Sequence, residues 1–193
     1  MLSDVGWNDV GYNDSPSTWL DAATPRLNAI AASGIRLTRH YTGWVCGPTR
    51  AALLTGRYPY RSGYGNMPEA NVNLPLDEST MGQELQKLGY RTGLVGKWHL
   101  GLQLWDYTPT YRGFERFYGY YYGSIGYYRK KATNGYLDLH DQRDLVVAPP
   151  ELSNKTHLTT LLHSKAEKFV FDHASLSPSI PLFLLYAPQN GAF

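Results

Sequence analysis

The sequence predicts an α/β fold, because segments with helical periodicity alternate with short segments typical of strands. Three predicted helices are each followed within a few residues by a predicted strand. The helix and strand of each pair cover residues 24–34 and 35–41, then 76–88 and 92–95, and finally 156–173 and 181–187. This alternation is typical of a sheet with helices packed against it.

Composition indicates one globular domain. The chain has 193 residues, of which 42% are hydrophobic and 18% are charged, and this length suffices for a proper core. The formal charge of +2 and the lack of a basic run interleaved with aromatic residues exclude nucleic acid as a predicted partner. No segment approaches 18 consecutive apolar residues, so we expect no membrane span. The single cysteine excludes an internal disulfide framework.

Both ends are expected to be internal to a longer domain. Residues 1–4 contain no basic and apolar leader followed by a cleavage site, so the sequence as given contains no signal peptide. Residues 181–187 form a continuous apolar run, predicted to be a buried central strand, close to the last residue. A domain rarely ends on such a strand, and the sequence therefore predicts a chain cut at both ends.

The first segment with possible chemistry is the loop of residues 4–12. It contains Asp4 and further Asp and Asn side chains between glycines, and oxygen ligands of this kind suit a hard cation. An ordinary surface loop, in which the same side chains cap turns, explains the composition equally well.

The first helix and strand lead to the cysteine. Thr24 as N-cap and Pro25 as first residue open the helix, Gly34 closes it, and Leu27, Ile30 and Ala31 are expected on one face. Residues 35–41 alternate apolar and polar side chains as a strand does. His40 lies on this predicted strand and is expected to be structural.

Cys46 is predicted to lie at the start of a short helix. Gly47 and Pro48 follow it as a turn and a favourable helix start, and Gly56 is a natural stop. Free backbone N–H groups there favour a thiolate or a bound anion, and Arg50 lies over the same face. A nucleophile beside an anion site is one interpretation; a small buried apolar side chain is the other. The three-residue gap between Cys46 and Arg50 excludes a Cys-x5-Arg phosphatase.

Two later helices are predicted to be amphipathic. The helix of residues 76–88 is expected to end at Gly89 and that of residues 156–173 to pack along one face. The side chains expected to face inward are Met81, Leu85 and Leu88 in the first helix and Leu158, Leu161, Leu162, Phe169 and Val170 in the second.

Lys97 and His99 form the second chemical segment. They follow the short strand of residues 92–95 and lie two residues apart, so in an extended backbone their side chains point to the same side. Together they can hold an anion, with the lysine supplying charge and the imidazole donating or accepting a proton. A surface lysine and a packed histidine remain the alternative. A P-loop is excluded, since Arg91 and Trp98 occupy its glycine and hydroxyl positions.

Many of the 16 tyrosines fall between residues 107 and 136. Their rings could stack on a sugar or aryl ring at the mouth of a pocket, or form a packed aromatic layer. Residues 136–141 are expected to form a hairpin arm beyond the core, with no chemical role.

Several motifs resemble the sulfatase family. Cys-Gly-Pro-Thr-Arg at 46–50 with Leu-Thr-Gly-Arg at 54–57 resembles the first sulfatase signature, and residues 89–101, with Gly-Lys-Trp-His inside, resemble the second. Residues 4–12 are similar to the family's calcium loop, with Ser3 in place of a first aspartate. Residues 112–119 are similar to its Arg-Gly-Phe-Asp-x-Phe-x-Gly run.

The resemblance implies a fold and a location. The fold is an alkaline-phosphatase-like sandwich, with a central mostly parallel sheet flanked by helices, and residues 1–193 would be the N-terminal portion of one catalytic domain, most similar to the arylsulfatase B type. Family members are lysosomal or secreted, and the glycosylation sequons at 13–15 and 154–156 would matter only on the secretory route.

For the site, the resemblance implies hydrolysis of a sulfate ester. Cys46 would be converted to formylglycine by the formylglycine-generating enzyme, Arg50 and Lys97 would contact the sulfate, and His99 would orient the nucleophile. One calcium ion would bind Asp4 and the modified Cys46. The substrate would be a sulfated small molecule or a sulfated glycan.

Two alternatives remain open at this point. Ser3 at a ligand position, and the lack of the family's histidine after Gln189, suggest an inactive sulfatase-like fragment with a structural or binding role. A phosphoesterase of related fold is the third interpretation, and Cys46 in its full signature argues against it.

Overall fold

The computed structural model describes residues 1–2, 5–13, 23–64, 73–147 and 154–189. The chain divides into two compact units, one formed by residues 1–3 with 43–192 and the other by residues 4–42 with residue 193. The larger unit contains the sheet and all the residues of the candidate site that the structure describes. Asp4, the predicted cation ligand of the loop at residues 4–12, lies outside the described residues.

The smaller unit contains one described helix, α1 (Pro25–Ser33). Thr24 precedes it as predicted, but its hydroxyl accepts the Gly11 N–H at 2.9 Å and makes no capping bond to the helix. The predicted helix is confirmed, and none of its residues is buried.

The predicted strand of residues 35–41 is also wrong. These residues are exposed and form no strand, and the side chain of Ile35 is 92% exposed. Alternating apolar residues stabilise a strand only when a neighbouring strand accepts and donates the backbone hydrogen bonds. In the part of the chain that the structure describes, no strand pairs with this segment.

The larger unit is built on a five-stranded sheet. Its strands are β1 (Arg91–Lys97), β2 (Arg116–Tyr120), β3 (His140–Asp141), β4 (Asp144–Leu145) and β5 (Leu182–Ala187). In the described sheet their order is β4-β3-β2-β1-β5. The strands β2, β1 and β5 are parallel, whereas β3 and β4 form an antiparallel hairpin added to β2. The predicted mostly parallel sheet is thus confirmed.

Three described helices of this unit precede or separate the strands along the chain. They are α2 (Cys46–Thr55), α3 (Met81–Lys87) and α4 (Leu158–Leu176). Helix α3 has a capping box, in which the Thr80 hydroxyl accepts the Gln83 N–H and the Gln83 side chain accepts the Thr80 N–H. Thr80 also donates to the Arg112 carbonyl at 2.7 Å, and this bond fixes the start of α3 against the segment before β2.

The core comprises two clusters of buried side chains. Leu54, Leu94, Trp98 and Phe114 belong to the first, and α4 packs into the second through Leu158, Leu161, Leu162 and Ala166. Two inward predictions fail, because Leu88 is 73% exposed and Val170 is 42% exposed. The inward prediction for Phe169 is confirmed, since its ring packs on Gly93 of β1, where an added Cβ would collide with it. Leu88 directly follows the last residue of α3.

Two further predictions are corrected. Strand β5 lies at an edge of the described sheet and most of its residues are only half-buried, whereas a buried central strand was expected. Residues 136–141 do not lie beyond the core as a whole, since Leu139 is fully buried and His140 pairs with Gly119 of β2, although Tyr136 is exposed. Of the two interpretations of the tyrosines, the packed layer is confirmed for Tyr118, Tyr120 and Tyr121, which are buried.

Candidate active site

The candidate site lies at the carboxyl ends of the three parallel strands. Lys97 is the last residue of β1 and is in register with Tyr120, the last residue of β2. Ala187 ends β5 and is in register with Gly96. Parallel strands present their carboxyl ends at one edge of a sheet, and ligands of open α/β sheets bind outside that edge.

Cys46 is the first residue of α2, which confirms the predicted position at the start of a helix. Its side chain is neither buried nor fully exposed. The preceding residue, Val45, provides no side-chain cap, so the backbone N–H groups of the first turn are not satisfied by the N-cap side chain. Together with the helix dipole, this end of α2 favours negative charge.

Arg50 joins the start of α2 to the end of β1. Its side chain is almost fully buried, Nε donates to the Trp98 carbonyl at 2.8 Å, and Nη2 donates to the Lys97 carbonyl. Burial lowers the pKa of Arg50 to about 10, partly offset by Tyr120, Cys46 and Tyr64. The guanidinium therefore remains charged at neutral pH and also positions the backbone from which Lys97 and His99 project.

His99 has a left-handed backbone, with φ of 59°. Its N–H donates to the Tyr121 carbonyl at 3.1 Å, and its carbonyl accepts the Tyr64 hydroxyl at 2.8 Å. The sequence argument that Lys97 and His99 share one side of an extended segment does not apply, because a positive φ ends the alternation of a strand. Both side chains are nevertheless buried and act electrostatically on each other.

The imidazole of His99 is held neutral. Burial, together with the positive charges of Lys97 and Arg50, lowers its pKa to about 3. Its Nδ1 is buried and has no hydrogen-bond partner among the described residues. A neutral imidazole with an unused nitrogen, next to two cations, is suited to meet an anion or a hydroxyl group.

Tyr120 belongs to the site and was not singled out from the sequence. It is fully buried, and because it is in register with Lys97 on a parallel neighbour, the two side chains leave the sheet on the same face. Its hydroxyl has no hydrogen-bond partner in the described part of the chain. Burial raises its pKa, against the opposing effect of Arg50. The tyrosine-rich composition was the only signal, and it does not identify which ring is buried.

In the sequence, Gln189 only marks the place after which the family's histidine is lacking. In the structure, it joins two segments at this edge of the sheet. Its side-chain amide accepts the Ile125 N–H at 2.8 Å and donates to the Ile125 carbonyl at 2.9 Å. The Tyr127 hydroxyl donates to the Gln189 carbonyl at 2.7 Å. The segment after β5 is therefore fixed to the segment that follows β2.

The described residues do not fit a calcium ion. Asp4, the predicted carboxylate ligand, lies outside the described residues, and within them no three His, Cys, Asp or Glu side chains form a metal-binding group. The groups that lower the pKa of His99 are the cations Lys97 and Arg50, whereas calcium requires a cage of oxygen ligands. This part of the site suits an anion, and the calcium ligands remain a prediction.

Fold and site together define an α/β protein whose candidate site gathers cations around a cysteine at a helix start. A family model described as Sulfatase matches residues 1–190. Arylsulfatase J of Mus musculus is 34% identical over 197 residues, covering 98% of this chain and 31% of that relative. Arylsulfatase A of Bos taurus is 44% identical over 124 residues, covering 62% of this chain and 24% of that relative.

Solved structures agree with the sequence matches. Ps i-CgsB superimposes with a TM-score of 0.83 at 28% identity, covering all of this chain and 44% of that chain. The chain belongs to the sulfatase family, and the predicted alkaline-phosphatase-like fold is confirmed. It spans about a third of the length of arylsulfatase J and about a quarter of arylsulfatase A.

Proposed function

We propose that this chain carries the nucleophile and the sulfate-binding cations of a sulfatase, and that the reaction is hydrolysis of a sulfate ester. The observation that supports this most is the meeting of the helix start at Cys46 with buried Arg50, Lys97 and His99 at one edge of the sheet. A sulfate group carries its charge on oxygens, and such oxygens accept hydrogen bonds from ammonium, guanidinium and backbone N–H groups.

Cys46 is the residue for which we propose oxidation to formylglycine. When present, the hydrated aldehyde supplies an oxygen nucleophile that attacks sulfur. The position fits this role, because a half-buried first residue of a helix is accessible to solvent and to a modifying enzyme. The positive end of the α2 dipole and the charge of Arg50 act on this position and favour developing negative charge.

Lys97 and Arg50 bind and orient the sulfate in this proposal. Both are buried, so their charges act on an anion through a medium of lower dielectric constant than water. Arg50 already donates Nε and Nη2 to backbone carbonyls, so its direct contribution is charge, and it also fixes the backbone of Lys97 and His99. The ammonium of Lys97 is therefore the stronger candidate for contact with sulfate oxygens.

His99 would receive or donate a proton at a ring nitrogen. With a pKa of about 3, it is neutral and weakly basic until an anion enters. Negative charge nearby favours the imidazolium form and raises the pKa, so the bound sulfate itself would make His99 an effective proton acceptor. The reaction would thus couple substrate binding to proton transfer.

A sulfated small molecule or a sulfated glycan is the substrate class that we propose. The curated relatives are named arylsulfatases, and Ps i-CgsB has been solved in complex with k-i-k-neocarrahexaose. The formylglycine-generating enzyme would be a partner during maturation, and the protein would be lysosomal or secreted. Among the described helices, none is long and apolar enough to cross a membrane.

Co-expression with formylglycine-generating enzyme tests the proposal. Mass spectrometry of the peptide that contains residue 46 should show conversion of cysteine to formylglycine, and Cys46→Ser should leave that position unmodified under the same conditions. An aryl sulfate assay with calcium then measures turnover, with Lys97→Met as the variant expected to lose at least about a hundredfold in kcat/KM.

The second candidate is a structural or binding role without turnover. It is favoured by Ser3, which stands at the position of a family calcium ligand, and by Arg50, whose Nε and Nη2 already donate to backbone carbonyls. Under this second candidate, the isolated 193 residues would show little or no turnover even with formylglycine at position 46. Substantial turnover would contradict this second candidate, and an unmodified Cys46 would contradict the catalytic proposal.

A further inference from the structure

We propose that Asp138 is a positioning residue for His99, acting through the turn formed by Tyr121, Tyr122 and Gly123. The inference rests on the proposed function only in so far as His99 acts in catalysis. Asp138 lies 39 positions after His99 in the sequence and 18 after Tyr120, in a segment with no predicted chemical role.

Asp138 is a buried carboxylate directed at backbone N–H groups. Its side chain is only 3% exposed. Its oxygens accept the Tyr121 N–H at 3.1 Å and the Tyr122 N–H at 2.8 Å, and Oδ1 lies 3.0 Å from Nε2 of His140. Hydrogen bonds to a carboxylate are stronger than neutral ones, and a buried carboxylate needs several of them. The carboxylate therefore fixes the backbone immediately after β2.

This turn holds His99 in two ways. The Tyr121 carbonyl accepts the His99 N–H at 3.1 Å, and this bond stabilises a backbone with φ of 59°, a conformation that costs a non-glycine residue energy. Gly123 packs directly on the imidazole, since a Cβ added there would lie 2.8 Å from Cε1 and 2.9 Å from Nε2 of His99. The ring thus rests against a surface whose position Asp138 determines.

A ring stack reinforces the same connection. The Tyr121 ring lies between Phe117, at a centroid distance of 5.3 Å, and His140, at 4.1 Å. His140 is also the side chain that contacts Asp138. Asp138, His140 and Tyr121 therefore form one buried group, and loss of the carboxylate would release the turn from both its backbone bonds and its stacked ring.

Loss of the Asp138 carboxylate should expose the imidazole of His99, which burial otherwise keeps neutral. If the turn moves, the imidazole gains solvent and its backbone loses the bond that holds the left-handed conformation. Asp138→Ala should therefore make His99 reactive and mobile even when the rest of the chain stays folded. Asp138→Asn retains one acceptor oxygen and should have a smaller effect.

Carbethoxylation of histidines in the full 193-residue chain, followed by mass spectrometry, measures this exposure. We expect the rate at His99, relative to the exposed side chain of His163, to rise on the order of tenfold in Asp138→Ala as local opening becomes easier. Asp141→Asn is the matched control, because Asp141 is an exposed carboxylate of β3, three residues after Asp138, and it should leave the ratio unchanged. A parallel NMR spectrum of the imidazole nitrogens should show His99 shifted in the first variant only.

A second variant keeps the inference testable if Asp138→Ala does not fold. Gly123→Ala keeps every hydrogen bond of Asp138 and places a methyl group against the His99 ring, so it should displace the ring and raise its reactivity as well. If Asp138→Ala lowers the urea midpoint while the reactivity and NMR signals of His99 stay unchanged, Asp138 is merely structural and the inference is wrong. The measurement needs no turnover, so its failure is distinguishable from failure of the proposed sulfatase activity.

Discussion

At the scale of single residues, buried side chains of the candidate site form hydrogen bonds within the protein itself, besides the contacts proposed with a ligand. Arg50 is the clearest case, because two of its nitrogens donate to the backbone carbonyls of Lys97 and Trp98. The signature arginine that the sequence associates with sulfate is thus also a structural link between a helix start and a strand end. Its removal would leave buried carbonyls without donors, at a cost of several kcal/mol.

The pKa of His99 leads to a prediction about stability. The unfolded chain binds a proton at this histidine below its ordinary pKa of 6.5, whereas the folded chain does so only near pH 3. Between these values the unfolded state holds more protons, so stability falls as the pH is lowered through this window, by about 1.4 kcal/mol per pH unit. Above pH 6.5 the histidine is neutral in both states and its contribution is constant.

Urea unfolding at pH 7, 6, 5 and 4 measures this effect against His99→Asn. Asparagine tolerates the left-handed backbone, so the variant should fold and lose stability less steeply on acidification. Carboxylates act alike in both proteins, and the difference in slope therefore isolates His99. His163→Asn, at an exposed position, should follow the parent chain. Equal slopes for His99→Asn and the parent would contradict the assigned burial of the imidazole.

At the scale of elements, helix α2 is defined by its two ends. Its first residue is Cys46, and its C-cap is Gly56 with φ of 68°, whose N–H donates to the Ala52 carbonyl at 2.9 Å. This is the left-handed cap that a helix commonly ends with. The cap sets where α2 stops, and the bonds from Arg50 to the Trp98 and Lys97 carbonyls fix the helix to the end of β1.

Gly56→Ala should lower the free energy of unfolding by about 1 kcal/mol, because alanine is strained at a positive φ. No atom lies within 4 Å of the added methyl group, so the cost would arise from the backbone alone. Gly126→Ala is the control, since its added Cβ would have no neighbour closer than 3.7 Å and its φ is not in the left-handed region. Urea denaturation compares the two, and an equal effect would contradict the strain argument.

Gly96 tolerates an added side chain even less than Gly56 does, because β1 and β5 lie in close contact there. Its φ is 116°, and an added Cβ would lie 2.0 Å from the Ala187 carbonyl oxygen. The β1–β5 pairing at the site edge therefore depends on a residue without a side chain. This explains why the second signature contains a glycine immediately before Lys97.

At the scale of the whole molecule, stability is expected to be unequal between parts of the chain. Strand β1 pairs on both sides, with β2 and β5, and six of its seven residues are buried. Helix α1 buries none of its residues. Because local opening is easiest where few apolar contacts are lost, the two elements should differ in protection from solvent.

Hydrogen–deuterium exchange measures this difference. Amides of Arg91–Lys97 should exchange at least about a hundredfold more slowly than those of Pro25–Ser33. The short edge strand β4 should exchange faster than β1 and serves as an internal comparison within the sheet. Similar rates for β1 and α1 would show that the chain opens as a single unit.

The sequence alone determined the family, the α/β class, the helix that starts at Cys46 and the existence of strand β1. The family follows from the two signature motifs at residues 46–57 and 89–101. The helix and the strand follow from local signals, namely a turn before a helix, a glycine after it and a short strand-forming segment, whose physical effect needs no distant partner. The same local reasoning failed for residues 35–41 and for the exposed side chains Leu88 and Val170. A periodic pattern of apolar residues does not show whether another element of the fold packs against them.

Only the tertiary structure decided which groups surround the nucleophile. Pairing of parallel strands brought Tyr120 beside Lys97, and a buried carboxylate at Asp138 was joined to the turn that supports His99. Such contacts link residues 16 to 48 positions apart, and their energies depend on burial, which no sequence window contains. The motifs thus identify the chemical groups, and the packing of the sheet determines their charge states and neighbours.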